Sequence, residues 1–92
     1  MNELADTIVS IKERQIAKDF LKNILTPTEL DEVAKRLQIV KLLKKGIPQR
    51  EIAKRLDVSI GTITRGSREL KYGAPGFENI IWQSPTSKRG RR

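Results

Sequence analysis

Apolar residues recur three and four positions apart along most of this chain, in runs that proline and glycine cut short. That spacing is the period of an α-helix with one buried face, whereas a half-buried strand alternates every second residue. Aromatic residues, which favour strands, make up only 4% of the 92 residues. The chain therefore reads as all-α.

Leu4, Ile8 and Ile11 begin one apolar stripe, and Ile16, Phe20, Leu21 and Ile24 form a second, with polar residues Lys12 to Gln15 between them. Ser10 and Glu13 have the spacing of a capping box, so either a new helix starts there or one long helix bends. The next boundary is sharper. Thr26-Pro27-Thr28-Glu29 reads as N-cap, proline in the first helical position and Glu at N3. The helix that follows carries Leu30, Val33, Leu37, Val40 and Leu43 on a near-heptad seam, read as ordinary core. Lys44 and Lys45 suit its C-terminus, and Gly46 is a natural stop.

Pro48 opens a short helix from Gln49 to Leu56, and Asp57-Val58-Ser59 forms a turn. Ile60 to Lys71 is a further helix, and Tyr72-Gly73-Ala74-Pro75-Gly76 breaks it. Phe77 to Trp82 is expected to form a last short helix packed back on the core. The expected organisation is dimerisation helices in 1–25, a core helix in 26–46, a DNA-binding helix-turn-helix in 47–71, a packing segment in 72–83 and a disordered basic tail in 84–92.

A chain this short buries only about 60% of its unfolded surface. It has no cysteine and no histidine, so no disulfide or usual zinc site can make up the deficit. Dimerisation is the remaining route to a complete core. The same two absences, with no phosphate loop and no credible carboxylate pair, argue against an enzyme. No metal is expected. No apolar run approaches the roughly 20 residues a bilayer span needs, and no signal peptide is apparent, so a soluble cytoplasmic protein is expected. Nineteen Lys and Arg against eleven Asp and Glu give a net charge of +8, with Lys88, Arg89, Arg91 and Arg92 crowded at the end. Such a balance fits a polyanion partner or simply a basic soluble surface.

The pair of helices from Gln49 to Lys71 narrows that choice. Two short helices joined by a three- or four-residue turn cross at the angle of a DNA-reading pair. Ile52, Leu56, Val58 and Ile63 supply its small core, with Ala53 at the closest approach. Asp57 stands where glycine often begins such a turn, and it too tolerates the turn backbone. The second helix would lie in the major groove. Ile60, Ile63 and Leu70 are placed inward by their spacing, which leaves Gly61, Thr62, Thr64, Arg65 and Arg68 outward. Gln49 and Arg50 open the preceding helix, where phosphate is favoured, and Lys54 and Arg55 add charge nearby. Gly66 is out of place inside a helix, costing about 1 kcal/mol relative to alanine. A ligand, the DNA backbone or a tightly packed helix would each explain it.

The run Thr62-Ile63-Thr64-Arg65-Gly66-Ser67, preceded by Gln49-Arg50-Glu51 and by Leu25-Thr26-Pro27, resembles the tryptophan repressor family over roughly residues 21–71. The segment Leu70-Lys71-Tyr72-Gly73 with Gly76-Phe77 also looks like that family's shorter relatives. The resemblance implies an interlocked helical homodimer that binds double-stranded operator DNA, with L-tryptophan as co-repressor. The DNA-binding set then comprises Gln49, Arg50, Lys54, Ile60, Gly61, Thr62, Thr64, Arg65, Ser67 and Arg68. The ligand set implied is Leu25, through its carbonyl, Thr26, the flanking guanidiniums of Arg36 and Arg65, and Glu69. Glu69 departs from the family, which has a small hydroxyl residue there. Four residues after Arg65, it is placed either to hold a ligand ammonium or to pair with Arg65. Asn23 also replaces an expected apolar residue. A ligand-independent helix-turn-helix regulator of the same fold is the alternative.

Overall fold

The structure is a computed structural model that describes residues 1–81. Those residues form six helices and no strand: α1 (Asn2–Val9), α2 (Arg14–Ile24), α3 (Pro27–Lys44), α4 (Gln49–Leu56), α5 (Ile60–Tyr72) and α6 (Gly76–Ile81). The chain divides into two compact units, residues 1–34 and the residues from Lys35 onward, with the boundary inside α3.

In the first unit α1 and α2 are separate helices, but the expected Ser10–Glu13 capping box does not form. Ser10 ends α1 instead, and its hydroxyl donates to the Thr7 carbonyl at 2.6 Å. A hydroxyl close behind a helix end competes for that helix's last free carbonyls, and here it wins. Glu13 is the residue before α2 and makes no side-chain cap. The box at α3 does form: the Glu29 N–H donates to Thr26 Oγ1 at 3.2 Å, and the Thr26 N–H donates to Glu29 Oε1 at 2.9 Å. No side chain of α1 or α2 is buried.

In the second unit α4 and α5 pack on one another. Ile39, Ile52 and Ile63 form the core, and Leu42, Leu43, Ile47, Ala53, Leu56 and Val58 pack around it. The expected helix-turn-helix core is all present. The seam expected on α3 is corrected in part. Val40 is buried, but Val33 and Leu37 stay 43% and 44% exposed, and Ile39 at 1% carries the contact with α4 and α5. Toward its C-terminal end the buried stripe of α3 keeps the seam residues Val40 and Leu43 and widens to take in Ile39 and Leu42, because the docked pair approaches that side.

Turn chemistry holds these helices in order. Gly46 closes α3 with φ +85°, a left-handed backbone that costs glycine nothing. Asp57 ends α4 in the same region, with φ 56° and ψ 52°. The Ser59 hydroxyl then caps α5, accepting from the Thr62 N–H at 3.1 Å. The helix starting at Gly76 is only half as expected. Phe77 is half-buried, but Ile80 is 71% exposed, so its apolar residues do not all pack back. An ion pair between Lys44 and Glu78 at 3.6 Å ties it to the end of α3. Trp82 and the basic tail lie outside the described residues.

Candidate nucleic-acid interface and ligand residues

The outward face of α5 is built by exclusion. Ile63 is fully buried and Leu70 partly so, and rotation by the helical period leaves Gly61, Thr62, Thr64, Arg65 and Arg68 exposed. Ser67 is half-buried at the edge of that face. Ile60 departs from its expected inward place. It is 48% exposed at the first position of α5, where the helix emerges from the turn. At Gly61 a side chain would meet nothing nearer than Ser59 Oγ at 3.8 Å, so the backbone there is open to approach.

α4 presents basic side chains at both ends, Arg50 in its first turn and Lys54 and Arg55 in its last. Pro48, Arg50, Glu51, Lys54 and Arg55 line an open groove along it. Arg55 is engaged with Glu51 at 2.7 Å, one helical turn away, which offsets its charge. Arg50 and Lys54 are exposed and make no such pair among the described residues. Gln49, half-buried at the first position of α4, meets Thr64 of α5.

Ser59, which is not in the expected DNA-contacting set, holds the start of the outward face of α5. Its hydroxyl lies 2.9 Å from Thr62 Oγ1 as well as capping the helix. The signal was present as a serine directly before an apolar helix start, the usual N-cap pattern.

Gly66 has a definite neighbour. A Cβ on it would lie 3.1 Å from Ile39 Cγ2, so the tightly packed helix is α3, and the glycine lets α5 sit against it.

Of the expected ligand residues, Leu25 and Thr26 lie in the first unit, and Arg36, Arg65 and Glu69 in the second. Leu25 is extended, with φ −119° and ψ 146°, between α2 and α3. Thr26 Oγ1 accepts the Glu29 N–H in the cap of α3. Arg36 and Arg65 are exposed, and no carboxylate among the described residues is ion-paired with either. Both guanidinium planes are thus available to stack on an aromatic ring or pair a carboxylate, so the chemistry fits an amino-acid ligand. Glu69 does not pair with Arg65. Its carboxylate lies over Gly73, in the space a side chain at 73 would fill.

No group of His, Cys, Asp and Glu among the described residues is arranged to hold a metal ion. No helix among them is long and apolar enough to cross a membrane.

Residues 1–84 match the family described as Trp repressor protein. A Trp operon repressor homolog of Actinobacillus succinogenes is 46% identical over 82 residues, covering 88% of this chain and 79% of that protein. One from Mannheimia succiniciproducens is 54% identical over 61 residues, covering 65% of this chain and 60% of that protein. Among solved structures, a TrpR-like protein of Eubacterium eligens superposes with a TM-score of 0.82 at 29% identity, covering 87% of this chain and 82% of that one.

Proposed function

The chain belongs to the Trp repressor family, a family of DNA-binding transcription regulators rather than enzymes, and on that premise we propose that it is a cytoplasmic repressor whose co-repressor is L-tryptophan. The observation that carries the DNA reading is the exposed face of α5, with Gly61, Thr62, Thr64, Arg65 and Arg68, mounted on α4 by the Ile52–Ile63 core. The N-terminal residues of α5 read base edges in the major groove. Gln49, Arg50 and Lys54 hold phosphates and set the register.

The working unit is a homodimer. Leu4, Ile8, Ile16, Leu21 and Ile24 are all exposed on α1 and α2, which bury no side chain of their own. Two such short helices are not stable alone in water. A second copy of the chain would cover them and place two reading helices on a two-fold-related site.

The ligand's ring and carboxylate are held by the guanidiniums of Arg36 and Arg65, both exposed. The test is a fluorescence-anisotropy titration of a trp-type operator duplex with and without L-tryptophan, beside calorimetry with L-tryptophan alone. Tryptophan heat and tighter operator binding are expected. Absence of heat with undiminished operator affinity refutes the co-repressor and leaves the ligand-independent regulator. Glu69 is what favours that second reading, since it adds a negative charge to the helix that carries Arg65. On the second reading Arg65→Ala weakens DNA binding equally with and without tryptophan.

A further inference from the structure

Half of the net charge of +8 is carried by the short run Lys88-Arg89-Gly90-Arg91-Arg92. No acidic residue follows Glu78 to offset it. The family match ends at residue 84, so this cluster stands outside the part of the chain that the family accounts for. The outward face of α5 gives it no role either. The fold fixes where it departs from. α6 starts four residues after α5 ends, its Phe77 is half-buried, and its Glu78 is paired with Lys44 at the end of α3. The cluster therefore follows from the unit that carries α4 and α5, not from α1 and α2.

We infer that Lys88 to Arg92 form a second DNA-binding element, which takes the minor groove of A·T-rich DNA beside the major groove occupied by α5. The inference rests on the DNA-binding reading of α5. Seven residue steps separate Ile81, the last residue of α6, from Lys88. With at most about 3.3–3.6 Å per step, they span up to roughly 25 Å. A full turn of duplex is about 34–36 Å, so a minor groove half a turn away is within reach. Residue type then separates this groove from phosphate in general. Lysine and arginine both serve for phosphate. The narrow minor groove of A·T tracts concentrates negative potential, and a cation must shed water to enter it. Guanidinium is more weakly hydrated than ammonium, so arginine enters at lower cost. Three of the four cations here are arginine. Gly90 stands between two of them. Without a Cβ there, the backbone can approach the floor of a groove only about 6 Å wide. Arg89 and Arg91 then donate to the adenine N3 and thymine O2 acceptors. A G·C pair puts the guanine amino group in the same place, a donor facing donors.

The test uses the full chain and a core duplex that it selects from random sequence. The core is placed between flanks of A·T, G·C or inosine·cytosine pairs. Inosine lacks the guanine amino group in the minor groove but keeps the major-groove pattern of guanine. Each duplex is titrated by fluorescence anisotropy at several salt concentrations. The parent is expected to favour A·T over G·C flanks by about tenfold, with inosine flanks behaving like A·T. Lys88→Gln, Arg89→Gln, Arg91→Gln and Arg92→Gln together should remove the preference and flatten the salt slope by up to about 3–4 per chain. Gly90→Val, and Arg89→Lys with Arg91→Lys, keep every charge; both should keep the salt slope and lose most of the preference. Equal parent affinity for all flanks, inosine flanks that behave like G·C, or a preference that survives the glutamine or Gly90→Val substitutions overturns the inference. Each of these leaves the helix-turn-helix reading standing. A parent chain that selects no duplex overturns that reading and this inference with it. Thermal melts of the variants should match the parent, since the substitutions lie beyond the helices.

Discussion

Replacing Gly66 by alanine sets two calculable effects against each other. Alanine inside a helix is favoured over glycine by about 1 kcal/mol. The added methyl, however, would stand 3.1 Å from Ile39 Cγ2, where carbon atoms prefer about 3.5–4.0 Å. Ile39 is 1% exposed and held by Ile52 and Ile63, so it has no free space into which to withdraw. Adding a methylene to a packed core costs roughly 1–3 kcal/mol. The balance is a net loss of about 1 kcal/mol, or some 4–8 °C in melting temperature for a domain of this size. Urea unfolding followed by far-UV circular dichroism, at one fixed protein concentration, measures it. The internal control is Ile39→Leu, which removes the contacted Cγ2 branch. In that background Gly66→Ala should become neutral or stabilising. Gly61→Ala, in the same helix but with open space beyond 3.8 Å, should not destabilise. A Gly66→Ala variant about 1 kcal/mol more stable than the parent would refute the packing argument.

The other predictions concern the turn, the cap, the charge and the exposed faces. Asp57→Gly should stabilise the fold by up to about 1 kcal/mol, because φ 56° burdens any side chain, while Asp57→Ala should destabilise it; thermal melts of the pair give the signs. Ser59→Ala removes the acceptor for the Thr62 N–H and should cost about 1 kcal/mol. Ser59→Asp should restore that stability and lower DNA affinity, so melting and anisotropy should part company. Arg50→Ala should weaken all duplexes alike and reduce the salt slope by about 1. Ile16→Glu puts a charge on the uncovered face of α2 and should abolish the dimer. In the parent, by contrast, the melting temperature should rise with protein concentration, and sedimentation of the two proteins checks the assembly directly.

Much of this molecule is local and therefore legible in the chain. The Thr26–Glu29 cap, the stop at Gly46 and the turn at Asp57-Val58-Ser59 each follow from side chains acting on backbone within a few residues. The small core of the reading pair was equally legible, since Ile52, Leu56, Val58 and Ile63 lie on helices short enough for spacing alone to define one face. Spacing faltered where two cues competed nearby, as at Ser10, which had a carbonyl to bond before it could cap the next helix.

Tertiary structure decided what depends on a neighbour distant in sequence. Ile39 rather than Leu37 is buried on α3, because burial is set by which side the α4–α5 pair approaches, and a single helix offers both. Gly66 had three possible reasons, and only the position of Ile39 Cγ2 selects among them. The chain places Glu69 four residues from Arg65, yet its carboxylate turns toward Gly73, where a missing side chain leaves room. The Gln49–Thr64 bond joins residues fifteen apart, and no periodicity encodes it. Helix ends answer to their own few residues, so sequence determined them; faces and close approaches answer to what packs beside them, so only the folded chain could.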